Sequence, residues 1–329
     1  MSNFAIKTKY GSFPVEVHVK PPFYIFESFK NLGITNSFNS LKTLDELDYY
    51  PTSLETDLLL AEDVPTTSSI QYIGSKFQYE KDRETTIILL NALGVTRNKY
   101  SKVIEGLSAK GFTVVSADYP CCGENKPTIN KSVDYDYNIL VNEYIPKLIE
   151  AAKAHNPNNQ ILLLGHSLGG HIATLYATSY GQSVIGVASG SVHYKSWEGK
   201  GRIRMLSAVA TIKSLLAIYG YLPGYKIGLG AKETKTLMTQ WCQTALTGKF
   251  KFMTVSLTPK DGKGLYLNID GDNFAPFKST QSLANLCAHS KVIQVKLDTK
   301  LKGNPHGIWI KNPKPVIDAI CENIKYLTT

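Results

Sequence analysis

The chain has 329 residues, with 36 Lys+Arg against 27 Asp+Glu for a formal net charge of +9; 43% of residues are hydrophobic and 19% charged. This composition excludes intrinsic disorder for the chain as a whole, and the length suits one large α/β domain with an insertion, or two modest ones. No run approaches the ~20 apolar residues of a transmembrane helix, and Met1–Tyr10 lacks the apolar core of a signal peptide. A cytoplasmic location is the default expectation.

The first 68 residues do not read like the rest. Ile6–Tyr10 and Val15–Val19, separated by Gly11-Ser12, could pair as a hairpin, and no role follows for this N-terminal extension. From residue 69 short apolar runs alternate with helical patterns, as in a parallel α/β sheet. Thr85–Leu90 reads as a strand, Arg97–Lys110 as a helix closed by Gly111, and Phe112–Ser116 as a strand. Val133–His155 has apolar residues at helical spacing, Gln160–Leu164 reads as a strand, Leu168–Tyr180 as a helix and Ser183–Ala188 as a strand. Between Ser191 and Gly264 the alternation stops, leaving helical patterns and no convincing strand. It resumes with strands at Leu265–Ile269 and Lys291–Leu297 and helices at Thr280–His289 and Pro315–Tyr326. The expected organisation is therefore an α/β core (69–190 and 265–329) with a helical cap (191–264) inserted before the penultimate strand.

The cysteines, Cys121, Cys122, Cys242, Cys287 and Cys321, are too few and scattered for a disulfide framework. No C-x-x-C pair or His/Cys cluster suggests zinc. The adjacent Cys121-Cys122 are expected to be free thiols, because a strained disulfide is readily reduced.

Gly165-His166-Ser167-Leu168-Gly169-Gly170 lies directly between a strand and a helix. G-x-S-x-G in that setting is a nucleophile elbow, a turn so tight that the residues two before and two after the serine must be very small. It lifts the Ser167 hydroxyl above the carboxyl ends of the strands and aims the first N–H groups of the helix at a developing oxyanion. An activated serine needs a base and the base an orienting acid, in the chain order Ser, Asp/Glu, His. Asp270 and Asp272 follow the Leu265 strand, and Asp272 is preferred because Asp270 falls at the strand end. His306 lies in a Gly/Pro-bounded loop after the last strand, as a base requires. His289 reads as a helix-end cation, His166 as structural, His171 as a packing or surface residue and His193 as a cap-hinge residue that could also line the pocket. The second oxyanion donor is assigned to the backbone N–H of Leu93 in Asn91-Ala-Leu-Gly94, paired with that of Leu168.

These motifs, with Asp272-Asn-Phe-Ala-Pro276 and the late His306, resemble the α/β-hydrolase superfamily over residues 69–327. More narrowly the chain is similar to bacterial lipase/esterase-like serine hydrolases, whose Ala-x-Gly-Val, aromatic and strand-Asp pattern recurs as Ala92–Val95, Tyr100 and Asp118. Relatives often carry Asp-x-Arg-Gly-x-Gly where this chain has Asp118-Tyr-Pro-Cys-Cys-Gly123, without the arginine. Asn91 stands where His-Gly loops have histidine. The superfamily also holds thioesterases and acyltransferases, so the motifs say little about substrate.

The charge is not spread evenly. Residues 191–264 hold twelve Lys/Arg and three Asp/Glu, which accounts for the whole excess; the rest of the chain has 24 of each sign. Ile203–Leu222 reads as an amphipathic helix with Met205, Val209, Ile212, Leu216 and Tyr219 on one face, packed on the core or walling an apolar pocket. The basic cap could attract an acidic or carrier-bound substrate or a membrane surface, or be simply solvated; a nucleic-acid partner does not follow from a charge so localised. The expected activity is hydrolysis of a carboxylic ester or thioester through an acyl-enzyme on Ser167, with no metal or organic cofactor. The alternatives are an acyltransferase using the same acyl-enzyme and a non-catalytic binding or scaffold protein; the oligomeric state is left open.

Overall fold

The computed structural model describes residues 2–8, 11–18, 84–123, 125–298 and 302–328. Contacts divide the chain into one unit of residues 1–19 and 83–329 and another of residues 20–82, and all the described residues belong to the first.

The strands are β1 (Ser2–Thr8), β2 (Gly11–His18), β3 (Thr85–Leu90), β4 (Thr113–Ala117), β5 (Gln160–His166), β6 (Ser183–Val187), β7 (Leu222–Pro223), β8 (Lys232–Glu233), β9 (Lys263–Ile269) and β10 (His289–Val295). The longer helices are α1 (Ser101–Ala109), α2 (Ile145–His155), α3 (Leu168–Tyr180), α4 (Gly199–Tyr219), α5 (Lys235–Thr247), α6 (Phe277–Ala284) and α7 (Lys314–Thr328). An eight-stranded sheet runs in the order β1-β2-β4-β3-β5-β6-β9-β10. It is parallel from β4 to β10, while β2 pairs antiparallel with both β1 and β4. The chain has the α/β-hydrolase fold.

β3 explains why the sheet is central: all six residues are buried, as in a strand covered on both faces. Ile88 and Leu90 pack with Leu148 of α2 and Ile172 of α3, while Ile87 and Leu89 pack with Ile104 of α1 and Ile320 of α7. Each such side chain taken fully from water contributes about 1.5–3 kcal/mol, so the two cores hold the strand ends that carry the site.

The inserted stretch builds its own small core from Val209, Ile212 and Leu216 of α4 with Met238, Cys242 and Ala245 of α5. The opposite side of α4 leaves Ile203 and Ile218 exposed. The insert is tied to the main body where Thr234 Oγ1 donates to the Tyr135 carbonyl at 2.7 Å and the Tyr137 N–H donates to Gln240 Oε1 at 3.0 Å. No helix among the described residues is long and apolar enough to cross a membrane.

Several expectations shift. The hairpin forms, but Gly11 and Ser12 pair with Thr8 and Lys7, so β2 extends through the positions read as its turn. Through β2, whose Val15 and Val17 are fully buried, the hairpin joins the main sheet, so this part of the N-terminal extension is an edge of the core. The rest of that extension, with residues 69–83 of the expected core, lies outside the described residues. The insert holds two strands, β7 and β8, each too short to leave a period in the sequence. The helix expected over Thr280–His289 is α6, which starts after Pro276 and stops at Ala284. His289 opens β10 instead of ending a helix. The helix expected over Ile203–Leu222 runs from Gly199 to Tyr219 and ends at Gly220.

Candidate active site

Between β5 and α3 the backbone at Ser167 takes φ 53° and ψ −111°, a conformation few non-glycine residues adopt. Neighbouring atoms leave no room for larger residues at the flanks. A Cβ on Gly165 would lie 2.2 Å from the Gly169 carbonyl, and one on Gly169 would lie 2.1 Å from the Leu90 carbonyl oxygen. The turn therefore presents the Ser167 side chain at the carboxyl end of the sheet, and Ser189 Oγ braces it by donating to the Ser167 carbonyl at 2.8 Å.

Three side chains meet there. His306 Nε2 is 2.9 Å from Ser167 Oγ, and His306 Nδ1 is 2.8 Å from Asp272 Oδ2. The loops after β9 and β10 deliver the two partners. Asp272 is buried, and its Oδ1 accepts the N–H groups of Phe274 and Ala275 at 2.8 and 3.1 Å, so its orientation is held from both sides. His306 sits in a single helical turn, Pro305–Ile308, capped by Asn304, whose Oδ1 accepts the His306 N–H at 3.0 Å. Asp270 is exposed, and its N–H donates to the Val295 carbonyl. Of the two aspartates, Asp272 is the one brought to the histidine.

The other histidines separate clearly. His289 is in register with Lys263 at the amino end of β9, the far end of the sheet from Ser167. His171 is buried between Tyr137 and the Gly190 carbonyl, and burial pushes its pKa down to about 4. His193 packs against Gly248. His166 is buried, with Nδ1 2.8 Å from the Tyr100 hydroxyl and Nε2 2.8 Å from the His306 carbonyl oxygen. Burial first, then the charge of His306, pushes its pKa down to about 3.

The residues assigned as oxyanion donors follow β3 (Leu93) and open α3 (Leu168). Leu168 is the first residue of α3, so its N–H has no intrahelical acceptor. The loop bearing Leu93 is pinned on both sides: Ala92 N–H donates to the Tyr100 hydroxyl at 2.8 Å, and the Tyr119 hydroxyl donates to the Asn91 carbonyl at 2.7 Å. Asn91 Nδ2 donates to the Ala117 carbonyl at 3.3 Å. The loop after β4 lacks the arginine relatives often carry, and its Asp118 is met instead by Arg97, from the segment after β3. The Arg97 N–H donates to Asp118 Oδ1 at 2.7 Å and its guanidinium lies 4.0 Å from Asp118 Oδ2. Tyr100, Ser189, Asn304 and Arg97 were not legible as site residues, although Asn304-Pro305 is a recognisable helix start. Phe274, exposed beside the site, stands 5.4 Å from the His306 ring and gives the mouth an apolar wall. The described residues include no group of three or more His, Cys, Asp or Glu able to hold a metal ion, and the five cysteines are free thiols.

One further carboxyl lies close by. A Cβ on Gly94 would be 2.4 Å from the Leu229 carbonyl oxygen, so the segment leading into β8 rests directly on the oxyanion loop. Glu233 of β8 is buried there with its Oε2 unpaired, and burial pushes its pKa up from 4.5 to about 8 despite hydrogen bonds from Gly94 and Tyr135. A raised carboxyl pKa means the folded state holds the proton longer than the unfolded one. The stability it contributes is full below about pH 4.5 and drains away as pH rises towards 8. Glu233→Gln is therefore expected to gain stability over the wild type progressively between those limits, by roughly 5 °C in Tm at the upper end. A difference in Tm that stays constant with pH would show that Glu233 does not titrate in this way.

Residues 85–214 match the family described as alpha/beta hydrolase fold. No curated protein matches the chain in sequence. Among solved structures, Est1E from Butyrivibrio proteoclasticus with ferulic acid bound is 15% identical with a TM-score of 0.52, the match covering 76% of this chain and 92% of that one. DcsB in complex with its substrate analogue is 14% identical with a TM-score of 0.51, covering 75% and 91%. At such identities the likeness speaks for the fold. Sheet order, elbow and the family match over residues 85–214 agree on the α/β-hydrolase fold.

Proposed function

We propose that the protein is a serine hydrolase that cleaves a carboxylic ester or thioester with an apolar acyl group, through an acyl-enzyme on Ser167. The observation that carries this reading is the unbroken chain of hydrogen bonds from Ser167 Oγ through His306 to Asp272, mounted on a strained strand-to-helix turn. His306 Nε2 takes the Ser167 proton as Oγ attacks the acyl carbonyl. Asp272 holds the Nδ1–H tautomer and stabilises the imidazolium that forms. The negative charge on the carbonyl oxygen falls to the N–H groups of Leu93 and Leu168. The tetrahedral centre collapses, the bond to the leaving group breaks, and His306 returns the proton to that group. Water, deprotonated by His306, then attacks the acyl-enzyme, and Ser167 recovers its proton as the acid departs. The aromatic wall of Phe274 favours an apolar acyl group over a charged one.

A chain-length panel of esters and thioesters, run on wild type and Ser167→Ala, tests this directly. Turnover of at least one member is expected to fall by at least about 10³-fold in the variant, and a fluorophosphonate should label the wild type at Ser167. Equal turnover in the two proteins would sink the mechanism. Absence of both labelling and turnover would favour a binding protein on the same fold, and product appearing on added alcohols or amines instead of water would make the enzyme an acyltransferase.

A further inference from the structure

Tyr100 and His166 lie beneath the site and take no part in the chemistry just described. We propose that they form a buried positioning relay that locks the oxyanion loop and the base into one register. In it Ala92 N–H donates to the Tyr100 hydroxyl, that hydroxyl donates to His166 Nδ1, and His166 Nε2–H donates to the His306 carbonyl. The inference rests on the proposed function only in naming its two ends as oxyanion loop and base.

The three links measure 2.8 Å each. Their polarity follows from the groups at the ends. A backbone N–H can only donate and a carbonyl oxygen can only accept, so the hydroxyl must pass its own proton to the imidazole and the imidazole must offer its other nitrogen as donor. Only a neutral His166 in the Nε2–H form satisfies every link. Burial and the neighbouring His306 depress its basicity, which keeps it in that form across the range in which ordinary histidines titrate. The links from Ala92 to Tyr100 and from Tyr100 to His166 are closed to water, because Tyr100 is 0% and His166 1% exposed. The imidazole cannot easily turn either. Trp309 stands edge-on to it with ring centroids 5.2 Å apart, and Tyr100 does the same at 5.9 Å.

The placement of these residues gives the relay its consequence. His166 is the residue immediately before Ser167, Ala92 immediately precedes Leu93, and the carbonyl it holds belongs to His306 itself. One pair of side chains, one of them on the residue before the nucleophile, therefore holds the backbone of the donor loop and of the base, which arrive from distant parts of the chain. His306 sits on a four-residue turn and has few other backbone restraints.

Tyr100→Phe keeps the ring and removes two links at once. Because small displacements of reacting groups are costly, kcat is expected to fall about 10–100-fold with KM changed less than about threefold. His166→Gln can still place an amide N–H against the His306 carbonyl and is expected to retain several-fold more activity than His166→Ala. A readout independent of turnover is ¹⁵N-histidine NMR of the wild type. It should show His166 as a neutral Nε2–H tautomer that does not titrate between about pH 5.5 and 7.5, and Tyr100→Phe should move its Nδ1 resonance. An Nδ1–H tautomer, titration within that range, or unchanged kcat in Tyr100→Phe would each overturn the relay. A loss that merely tracks the unfolded fraction would do the same. Should wild type show no Ser167-dependent turnover, the function reading fails while the NMR result still decides the relay.

Discussion

Asp272→Asn is expected to lower kcat by about 10³–10⁴-fold while leaving KM and Tm nearly unchanged. The size follows from how the carboxylate is held. One oxygen accepts two backbone N–H groups, from Phe274 and Ala275, and the other faces His306 Nδ1 at 2.8 Å. An asparagine in this buried space must keep its carbonyl oxygen on the two N–H donors, since its amide would otherwise oppose them. Its amide then points at His306 Nδ1 and donates to it. The imidazole is left with its proton on Nε2, where it faces Ser167 Oγ as a donor and cannot take the serine proton. Shape and burial are conserved, so binding and folding are spared while the proton transfer fails. Asp270→Asn serves as the control; that residue is exposed and should change kcat less than about twofold. Kinetics of both variants on one ester decide the matter, and a loss below about tenfold in Asp272→Asn would remove the residue from the proposed mechanism.

Much of this arrangement can be read from local sequence, because its parts obey local rules. The β-rich run Thr85–Leu90, closed by the turn at Asn91–Gly94, reads as a strand, and glycines at 165 and 169 around Ser167 mark a turn with no room for side chains. Asp272 and His306 follow from chain order, since loops after consecutive parallel strands lie side by side. What escaped was decided by distant contacts. Nothing in Phe13–Val17 says that this strand will pair with β4. Nothing in the sequence says that Arg97, from the segment after β3, will lie against the Asp118 carboxylate. Tyr100 stands out in the sequence only as the aromatic of the pattern shared with relatives, with no partner indicated for its hydroxyl. Only the fold brings its hydroxyl between Ala92 and His166. His289 reads as a helix end in the sequence, but the helix before it stops at Ala284 and the chain then turns to enter the edge strand.

Gly169→Ala is expected to cost about 4 kcal/mol or more and to lower Tm by roughly 10 °C, with turnover lost from whatever folded protein remains. The added methyl would lie 2.1 Å from the Leu90 carbonyl oxygen, 2.6 Å from the Leu90 carbonyl carbon and 2.8 Å from the Asn91 oxygen. These are backbone atoms, and they are not free to retreat. Leu90 is fully buried and paired with Gly165 in the sheet, and the Asn91 carbonyl holds the Tyr119 hydroxyl. The only relief is to drive the end of β3 away from α3, which in the proposed mechanism separates the Leu93 N–H from the Leu168 N–H across the oxyanion. Stability and transition-state stabilisation are thus lost through one displacement. Gly106→Ala provides the contrast: its methyl would come 2.4 Å from Ile317 Cδ1, the far end of a flexible side chain that can change rotamer. That variant should stay within about 1 kcal/mol of wild type and keep full turnover. Thermal melts, fluorophosphonate labelling and turnover on the same preparations separate the effects. A Gly169→Ala protein that melts and turns over like the wild type would show that the elbow does not need the close approach of β3 to α3.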